Sequence, residues 1–520
     1  IAFGSVPLDY QFFYSDAPRH ALNGAFILDL VRDFPINDPV QWAYNYYAQY
    51  PALTILFYPP LYPAILAVAY AILGISQFSA VVVNALFYFA LLLGVFRVSR
   101  PLMGFVAGAI AAAAVGALPD IAFWGRQVMT DVPATAMLVW GVAFFLEYSE
   151  HRRSWLLYAS ALAVLAAVWL KLTVCFVLPV FAIALVAIDG RFVWQSRRHW
   201  SVVALMILGL LPLAWLTLHF GQTNVQSAAN AAGAPASRLS LANWLWYPRR
   251  LPAMVGWPMT VVFVAGSAAG LVAWTRQRRG MQAAWGLIAG WAIVGYVFFS
   301  AIDLKDERFF IPVLPALVVI AVGGIHALLP ARRAIWGWLV TAAVAVATLT
   351  ITWIEYPPLY VKGYARIVRD VAREAPRDSN VVFSGYRDGA FIFAMRAIGG
   401  RPDLHTIRAD KLLLTIAIRR SAGVKQKNLT EAQIAKELTR QKTSYVVAQD
   451  GFWTDLTEMK RLQAVLHSAQ FKPVAHYRMQ ANFNAPERSI TVYRNLAKLP
   501  KKRPPLSIDL PAINRTVTHD

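Results

Sequence analysis

Ten apolar runs, each long enough to cross a bilayer, constrain this chain more than any other feature. They fall at about 78–97, 101–119, 131–148, 154–170, 172–188, 200–219, 256–274, 283–301, 309–328 and 334–354. A hydrocarbon core about 30 Å thick needs roughly 20 residues of helix to span it. Inside lipid every backbone polar group must find its partner internally, which leaves helices or a closed barrel. Continuous apolar runs rich in Ala and Gly read as helices packed on helices. With 58% hydrophobic residues, the chain is an integral membrane protein rather than a soluble one.

Arginine sets the orientation. Arg97 and Arg100, Arg152 and Arg153, Arg191, Arg197 and Arg198, Arg276, Arg278 and Arg279, and Arg332 and Arg333 occupy every second connection. By the positive-inside rule those connections are cytoplasmic. The alternate ones are then extracytoplasmic: Asp120 to Asp131, the turn at Lys171, residues 220–255, Asp303 to Arg308, and everything after 355. One apolar stretch, Tyr58-Pro59-Pro60-Leu61-Tyr62-Pro63 with 64–75, breaks the alternation, because counting it as a span inverts every arginine loop. It is short and opens on prolines, so it is read as a helix lying on the outer face. Ile1-Ala2-Phe3 reads as the end of a first transmembrane helix whose beginning is absent. The expectation is an α-helical polytopic membrane protein with about 11 transmembrane helices, the first truncated, its N-terminus inside and its C-terminus outside.

The net charge of +21 is unevenly spread. Residues 1–359 hold 21 Lys and Arg against 14 Asp and Glu, and residues 360–520 hold 28 against 14. A basic region beside a membrane suits anionic headgroups or phosphates, and no base-reading module argues for nucleic acid. Cys175 is the single cysteine, which excludes an internal disulfide and a cysteine metal site. In the C-terminal region, 381–385 and 444–448 read as buried strands, while 361–375, 429–441 and 455–469 have helical spacing. Strands alternating with helices predict an extracytoplasmic α/β domain over 360–497. Residues 498–520, with Lys501-Lys502-Arg503-Pro504-Pro505, are expected to be a disordered basic tail. The transmembrane domain is expected over 1–359, with a first extracytoplasmic loop and juxtamembrane helices over 9–77.

The candidate chemistry lies on the outer face. That face gathers Asp16, Arg19 and His20; Asp120, Arg126 and Asp131; Lys171; Arg249 and Arg250; and Lys305, Asp306, Glu307 and Arg308. A carboxylate can take a proton from an attacking hydroxyl, and Lys or Arg can stabilise a departing phosphate. No P-loop and no His-Glu-x-x-His motif is present. The bland readings stand beside these: Asp16 as a helix cap before Pro18, Asp131 as an N-cap, Lys171 as an interfacial lysine, and Arg308 paired with Asp306 or Glu307.

The ordered set of motifs resembles the GT-C glycosyltransferases, in particular the bacterial relatives of protein O-mannosyltransferases and of the lipid A aminoarabinose transferase. Asp16-Ala17-Pro18-Arg19-His20-Ala21 resembles the first-loop acid motif, and Tyr58-Pro59-Pro60-Leu61-Tyr62-Pro63 the Pro-Pro-Leu element. Arg126 to Pro133 is similar to the second acid motif, Leu170-Lys171-Leu172-Thr173 to the helix-end lysine, and Glu307 to Pro315 to the Arg-Tyr-x-x-Pro helix start. The first loop departs from the family's acidic pair, with Ala17 in the second place, so that carboxylate's work is either absent or supplied from elsewhere, with Asp29, Asp33 and Asp38 as candidates that read equally as solvated loop residues. The resemblance implies an inverting transferase, with a polyprenyl-phosphate-linked sugar as donor and a hydroxyl on protein, lipid or cell-wall glycan as acceptor. It assigns catalysis to Asp16 and Asp131, and the donor phosphate to Lys171, Lys305, Arg308 and Arg126. Arg19, His20 and Tyr58 are assigned to acceptor or sugar. No metal ligand and no cofactor is assigned, though outer-face acids leave a divalent cation open. The implied location is a bacterial inner membrane, with active site and C-terminal domain extracytoplasmic and membrane lipids as further partners. Two rivals remain: a non-catalytic glycolipid-binding scaffold, and a lipid-linked sugar transporter or flippase. Charges confined to segment ends argue against the transporter.

Overall fold

A computed structural model describes residues 6–221, 237–274, 279–329, 333–416, 420, 423–510 and 515–519. The first, truncated helix expected at Ile1-Ala2-Phe3 lies outside the described residues. Each of the ten apolar runs is helical. Seven helices are long and apolar enough to cross a membrane: Gln77–Met103, Asp131–His151, Leu172–Asp189, Arg197–Phe220, Gln282–Ala301, Glu307–Ala327 and Ala334–Glu355. Phe105–Ala117 and Pro119–Gly125, bent by 64° at their junction, bring an eighth, and Ser154–Leu170 and Trp257–Val272 are shorter apolar helices. The bend falls where Leu118 turns extended ahead of Pro119, which opens the next helix as a first-turn proline.

The chain divides into two compact units. The helical unit takes Leu56–Tyr62 and Val82–Pro358, and the second unit takes Pro7–Ile55, Pro63–Val81 and Leu359–Asp520. The two units part between Pro358 and Leu359, beside the expected boundary, and what differs is the first loop, most of which clusters with the C-terminal residues.

In the helical unit, α7 (Asp131–His151) and α8 (Ser154–Leu170) form an antiparallel hairpin turned by Arg152, whose backbone is left-handed at φ 56°. Gly141 sits against Val164, where a Cβ would lie 2.7 Å from that side chain, so small residues set the approach of the two helices. The hairpin places Asp131 and Lys171 at one end and Arg152 and Arg153 at the other.

The second unit is α/β, with a five-stranded mixed sheet. Its strands are β1 (Asn380–Ser384), β2 (His405–Arg408), β3 (Thr443–Gln449), β4 (Phe471–Arg478) and β5 (Ser489–Asn495), ordered β2-β1-β3-β5-β4. β1 runs parallel to β2 and β3, while β5 pairs antiparallel with β3 and β4. β1 and β3 are buried along their whole length, as expected for strands covered on both faces. Tyr364–Glu374 and Asp388–Ile398 pack on each other, and α1 (Asp16–Asp33) packs on Asp388–Ile398. The tail read as disordered carries an antiparallel ladder of Leu506–Leu510 with Arg515–His519. The alternation of Leu506, Ile508 and Leu510 with Ser507 and Asp509 suits a strand, and it follows the Lys- and Pro-rich stretch that suggested disorder.

Charged side chains seat the first loop. Arg19 of α1 donates to both oxygens of Asp388 at 2.9 and 2.8 Å, and Arg408 approaches the same carboxylate at 2.8 Å. Asp29 receives Arg396 and the Tyr46 hydroxyl, the latter at 2.9 Å. Asn23 exchanges hydrogen bonds with Thr54, and Gly24 lets α1 close on α3 (Leu61–Leu73), where a Cβ would meet the Leu66 Cβ at 2.6 Å. Burial raises the Asp388 carboxyl, yet the Arg19 and Arg408 guanidiniums outweigh it and hold that group below the usual carboxylate range. A depressed carboxylate contributes stability above its unfolded value of about 3.9, and that stability is lost as pH falls through the lower folded value.

Asp388→Ala leaves two guanidiniums facing each other without their anion. Losing one partner of a buried pair costs about 3–5 kcal/mol, so amide hydrogen exchange along α1 is expected to accelerate by about 10²- to 10⁴-fold if the seat opens separately. In the native chain the α1 amides are expected to stay protected at neutral pH and to lose protection below pH about 4. Unchanged exchange in the variant would show that the pair does not hold α1.

Candidate active site

One end of the helical unit collects ionisable side chains from three segments. Asp131 opens α7 and is buried, 1% exposed, with its carboxylate bound by the Lys171 ammonium. Lys171 is the extended residue between α8 and the 3₁₀ helix Leu172–Val177, and its ammonium lies 5.1 Å from the Phe309 ring centroid. Thr130 is the N-cap of α7 but makes no side-chain cap bond, so the Asp131 carboxylate serves the lysine. The N-cap position read for Asp131 belongs to Thr130, and Asp131 is the first residue of the helix.

The third segment is the 3₁₀ helix Glu307–Val313, capped by Asp306. The Asp306 carboxylate accepts from the Arg308 backbone N–H at 3.1 Å and from Arg308 Nε at 3.0 Å. The Arg308 guanidinium lies 5.8 Å from the Trp124 ring centroid and 5.4 Å from that of Phe309. Phe309 thus stands beside both Lys171 and Arg308. Arg250 approaches Glu307 at 3.5 Å. Asp120 is buried at 7% exposure in the field of Glu307, Asp306 and Asp131, and its Oδ2 has no hydrogen-bond partner among the described residues.

Two cations assigned to phosphate have other work. The Lys305 ammonium donates to the carbonyls of Phe299, Ser300 and Ile302 at 3.0, 2.7 and 2.6 Å, which uses all three of its hydrogens. Burial pulls that ammonium down to about 8, against the raising effect of Asp303, so it stays mostly protonated at neutral pH. Arg126, 4% exposed, donates from Nε to the Ala122 carbonyl at 2.8 Å and from Nη2 to the Tyr356 carbonyl at 2.6 Å. Both side chains close helix ends that would otherwise present bare carbonyls.

Asn84, absent from the sequence reading, braces the acid motif. Fully buried on α4 (Gln77–Met103), its amide donates to the Gln127 and Met129 carbonyls at 2.5 and 3.1 Å and accepts from the Tyr62 hydroxyl. It fixes the backbone just ahead of Asp131. A buried amide within an apolar run was the available signal, since such a group must find partners.

The second unit holds Asp16, Arg19 and His20. Asp16 opens α1 and is half-buried, where the positive end of the helix dipole favours an anion. Its neighbours Ser15 and Pro18 line a small cleft with Phe12, Tyr14, Arg387 and Asp388. Arg19 is committed to Asp388, and His20 is 1% exposed, so neither side chain presents the free polar surface an acceptor site needs. Tyr58, in the helical unit, is half-buried in the bend before α3. The three acids that could replace the missing second carboxylate are also engaged: Asp29 with Arg396 and Tyr46, Asp33 with the Trp42 indole at 3.1 Å, and Asp38 capping Pro39–Gln49 at the Gln41 N–H. Among the described residues no group of three or more His, Cys, Asp and Glu is arranged to hold a metal.

Residues 58–215 match the family model described as dolichyl-phosphate-mannose-protein mannosyltransferase. That span contains Tyr58, Asn84, Asp131 and Lys171. No curated protein sequence matches the chain. Among solved structures, ArnT from Cupriavidus metallidurans bound to undecaprenyl phosphate is similar at 15% identity and TM-score 0.59, over 96% of this chain and 97% of that one. The Archaeoglobus fulgidus oligosaccharyltransferase gives 11% identity and TM-score 0.54, over 93% of this chain and 71% of that one. The arabinofuranosyltransferase AftD from Mycobacteria gives 16% and 0.52, over 96% of this chain and 41% of that one. The chain has the GT-C fold, a polytopic helical membrane protein with a C-terminal domain containing β strands.

Lys171→Met or Asp131→Asn alone leaves a buried charge unpaired and is expected to destabilise the chain by about 3–5 kcal/mol, whereas the double variant recovers most of that loss. A stability cycle on the detergent-purified chain checks this, and additive losses would dissolve the pair. Lys305→Met leaves helix-end carbonyls unsatisfied and is expected to cost about 1–3 kcal/mol. The thermal midpoint of the purified variant checks this, and an unchanged midpoint would free Lys305 from its role at the helix end.

Proposed function

We propose that the chain is an inverting glycosyltransferase that moves a sugar from a polyprenyl-phosphate carrier to a hydroxyl acceptor on the outer face of a bacterial cell membrane. The observation that carries the reading is the convergence of Asp131, Lys171 and Arg308 at one end of the helical unit of a GT-C fold. Three segments distant in sequence bring a carboxylate and two cations together around one aromatic ring, where a phosphate would be stabilised in a setting poor in water.

In this reading the acceptor hydroxyl attacks the anomeric carbon while Asp16 takes its proton. The new glycosidic bond forms as the bond from that carbon to the carrier phosphate breaks. The electron pair leaves with the polyprenyl phosphate, whose charge Lys171 and Arg308 stabilise. Asp131 holds the Lys171 ammonium in place, and Tyr58 contacts sugar or acceptor. Lys305, Arg126, Arg19 and His20 are left out of the ligand set, because their polar groups or their burial serve the fold. No step is routed through a cation. The undecaprenyl phosphate bound by the ArnT relative supports the same carrier class here.

Incubation of the purified chain with a panel of polyprenyl-phosphate sugars, with and without cell-envelope extract, is expected to release free polyprenyl phosphate detectable by mass spectrometry. Asp16→Asn is expected to lower that release by about 10²- to 10⁴-fold, the range for loss of a positioned base. Equal release by both proteins would remove Asp16 from the mechanism, and no release with any donor or extract would remove the transferase reading.

A further inference from the structure

The α7–α8 hairpin has a second end, one helix of 21 residues and so about 31 Å from Asp131. There a single carboxylate gathers three donors. Asp189 is bound by the Arg152 guanidinium, by the Tyr148 hydroxyl, and by His199 Nε2 at 2.7 Å. Asp189 and His199 are buried, 8% and 1% exposed. This knot ties the connection after α7 to the one between Leu178–Asp189 and Arg197–Phe220.

The remaining cations on the two connections are not spent in this way. Arg153, Arg191, Arg197 and Arg198 make no ion pair among the described residues, and Arg153, Arg191 and Arg197 are exposed. Residues 150–153 and 189–200 together hold five arginines against two carboxylates, Glu150 and Asp189. Large aromatic side chains stand among them: Trp155, Phe192, Trp194 and Trp200 are 55%, 65%, 63% and 52% exposed. The Trp200 indole donates to the Trp194 carbonyl at 3.0 Å, and the two rings lie 6.2 Å apart.

We propose that this surface binds the phosphate headgroups of anionic phospholipids. Exposed indoles beside guanidiniums are the composition of a headgroup zone, with ring faces toward acyl chains and N–H groups toward water. Guanidinium forks match phosphate oxygens in pairs. The buried Asp189 is satisfied by its own three donors, so it holds the scaffold without drawing the exposed arginines away from lipid. Flexible connections would pay an ordering entropy for the same contacts, and here the knot has already removed it. The inference rests on membrane insertion of the helices and not on the transferase reading.

The test uses the full chain in nanodiscs of phosphatidylcholine alone and in nanodiscs that also contain phosphatidylglycerol, with retained lipid counted by native mass spectrometry. The native chain is expected to enrich phosphatidylglycerol. Arg191→Ser with Arg197→Ser, both at exposed positions, is expected to weaken the enrichment by about 5-fold for each arginine removed, while Arg488→Ser in the other unit leaves it unchanged. Equal enrichment in native and double variant overturns the proposal. So does protection of the thermal midpoint in phosphatidylcholine by inorganic phosphate alone, because that assigns the arginines to a soluble ligand.

Discussion

An apolar helix that ends away from bulk water leaves carbonyls that something must satisfy, and the distribution of cations in this chain follows from that requirement. Lys305 donates to three carbonyls around the end of one helix, and Arg126 joins the Ala122 and Tyr356 carbonyls. These residues share a helix-end position with Lys171 and Arg308, yet their hydrogens are consumed by backbone. Lys171 and Arg308 meet carboxylates instead, and a carboxylate can yield its cation to a competing phosphate while a helix carbonyl yields it only by exposing a bare polar group. Four cations that look equivalent in sequence thus separate into two that close the fold through backbone carbonyls and two that pair with carboxylates.

The convergence of Asp131 and Lys171 has a simple geometric origin. Forty residues separate them, enough for two spanning helices and a turn, so an antiparallel hairpin returns the second residue to the level of the first. The turn at Arg152 needs a left-handed residue, and the chain continues there without a glycine, tied down by Asp189. One hairpin therefore fixes an acid–base pair at one end and an arginine cluster at the other.

Much of this arrangement is legible in the sequence. Run lengths and alternating arginines give the ten helices, and two strands and three helices of the C-terminal domain fall within a few residues of their observed positions, because these signals are local and periodic. The seat of the first loop is not legible. Arg19 pairs with Asp388 across 369 residues and Arg396 with Asp29 across 367, and nothing in a single sequence couples positions so distant. Asp29, Asp33 and Asp38 look like free carboxylates for the same reason, since their partners lie elsewhere in the fold or a turn away. Asn84 is missed on a different ground: a lone amide in an apolar run carries no periodic signal, and its meaning appears only when the Gln127 and Met129 carbonyls arrive beside it.

The long-range pairs change what the C-terminal domain is for. A loop proposed to carry a base gains from having one conformation, because a base that must be ordered at each turnover spends binding energy on that ordering. Here α1 is fixed near its start by Arg19 on Asp388 and near its end by Asp29 on Arg396, with Asn23 and Gly24 between them packed on Thr54 and Leu66. Four points of attachment along 18 residues leave the first turn, where Asp16 stands, little freedom to tilt. The sheet behind Asp388 is built from strands buried along their length, so the anchor is itself rigid. Asp388 and Arg396, with Arg408 beside Asp388, are thereby accounted for as the groups that hold one short helix still.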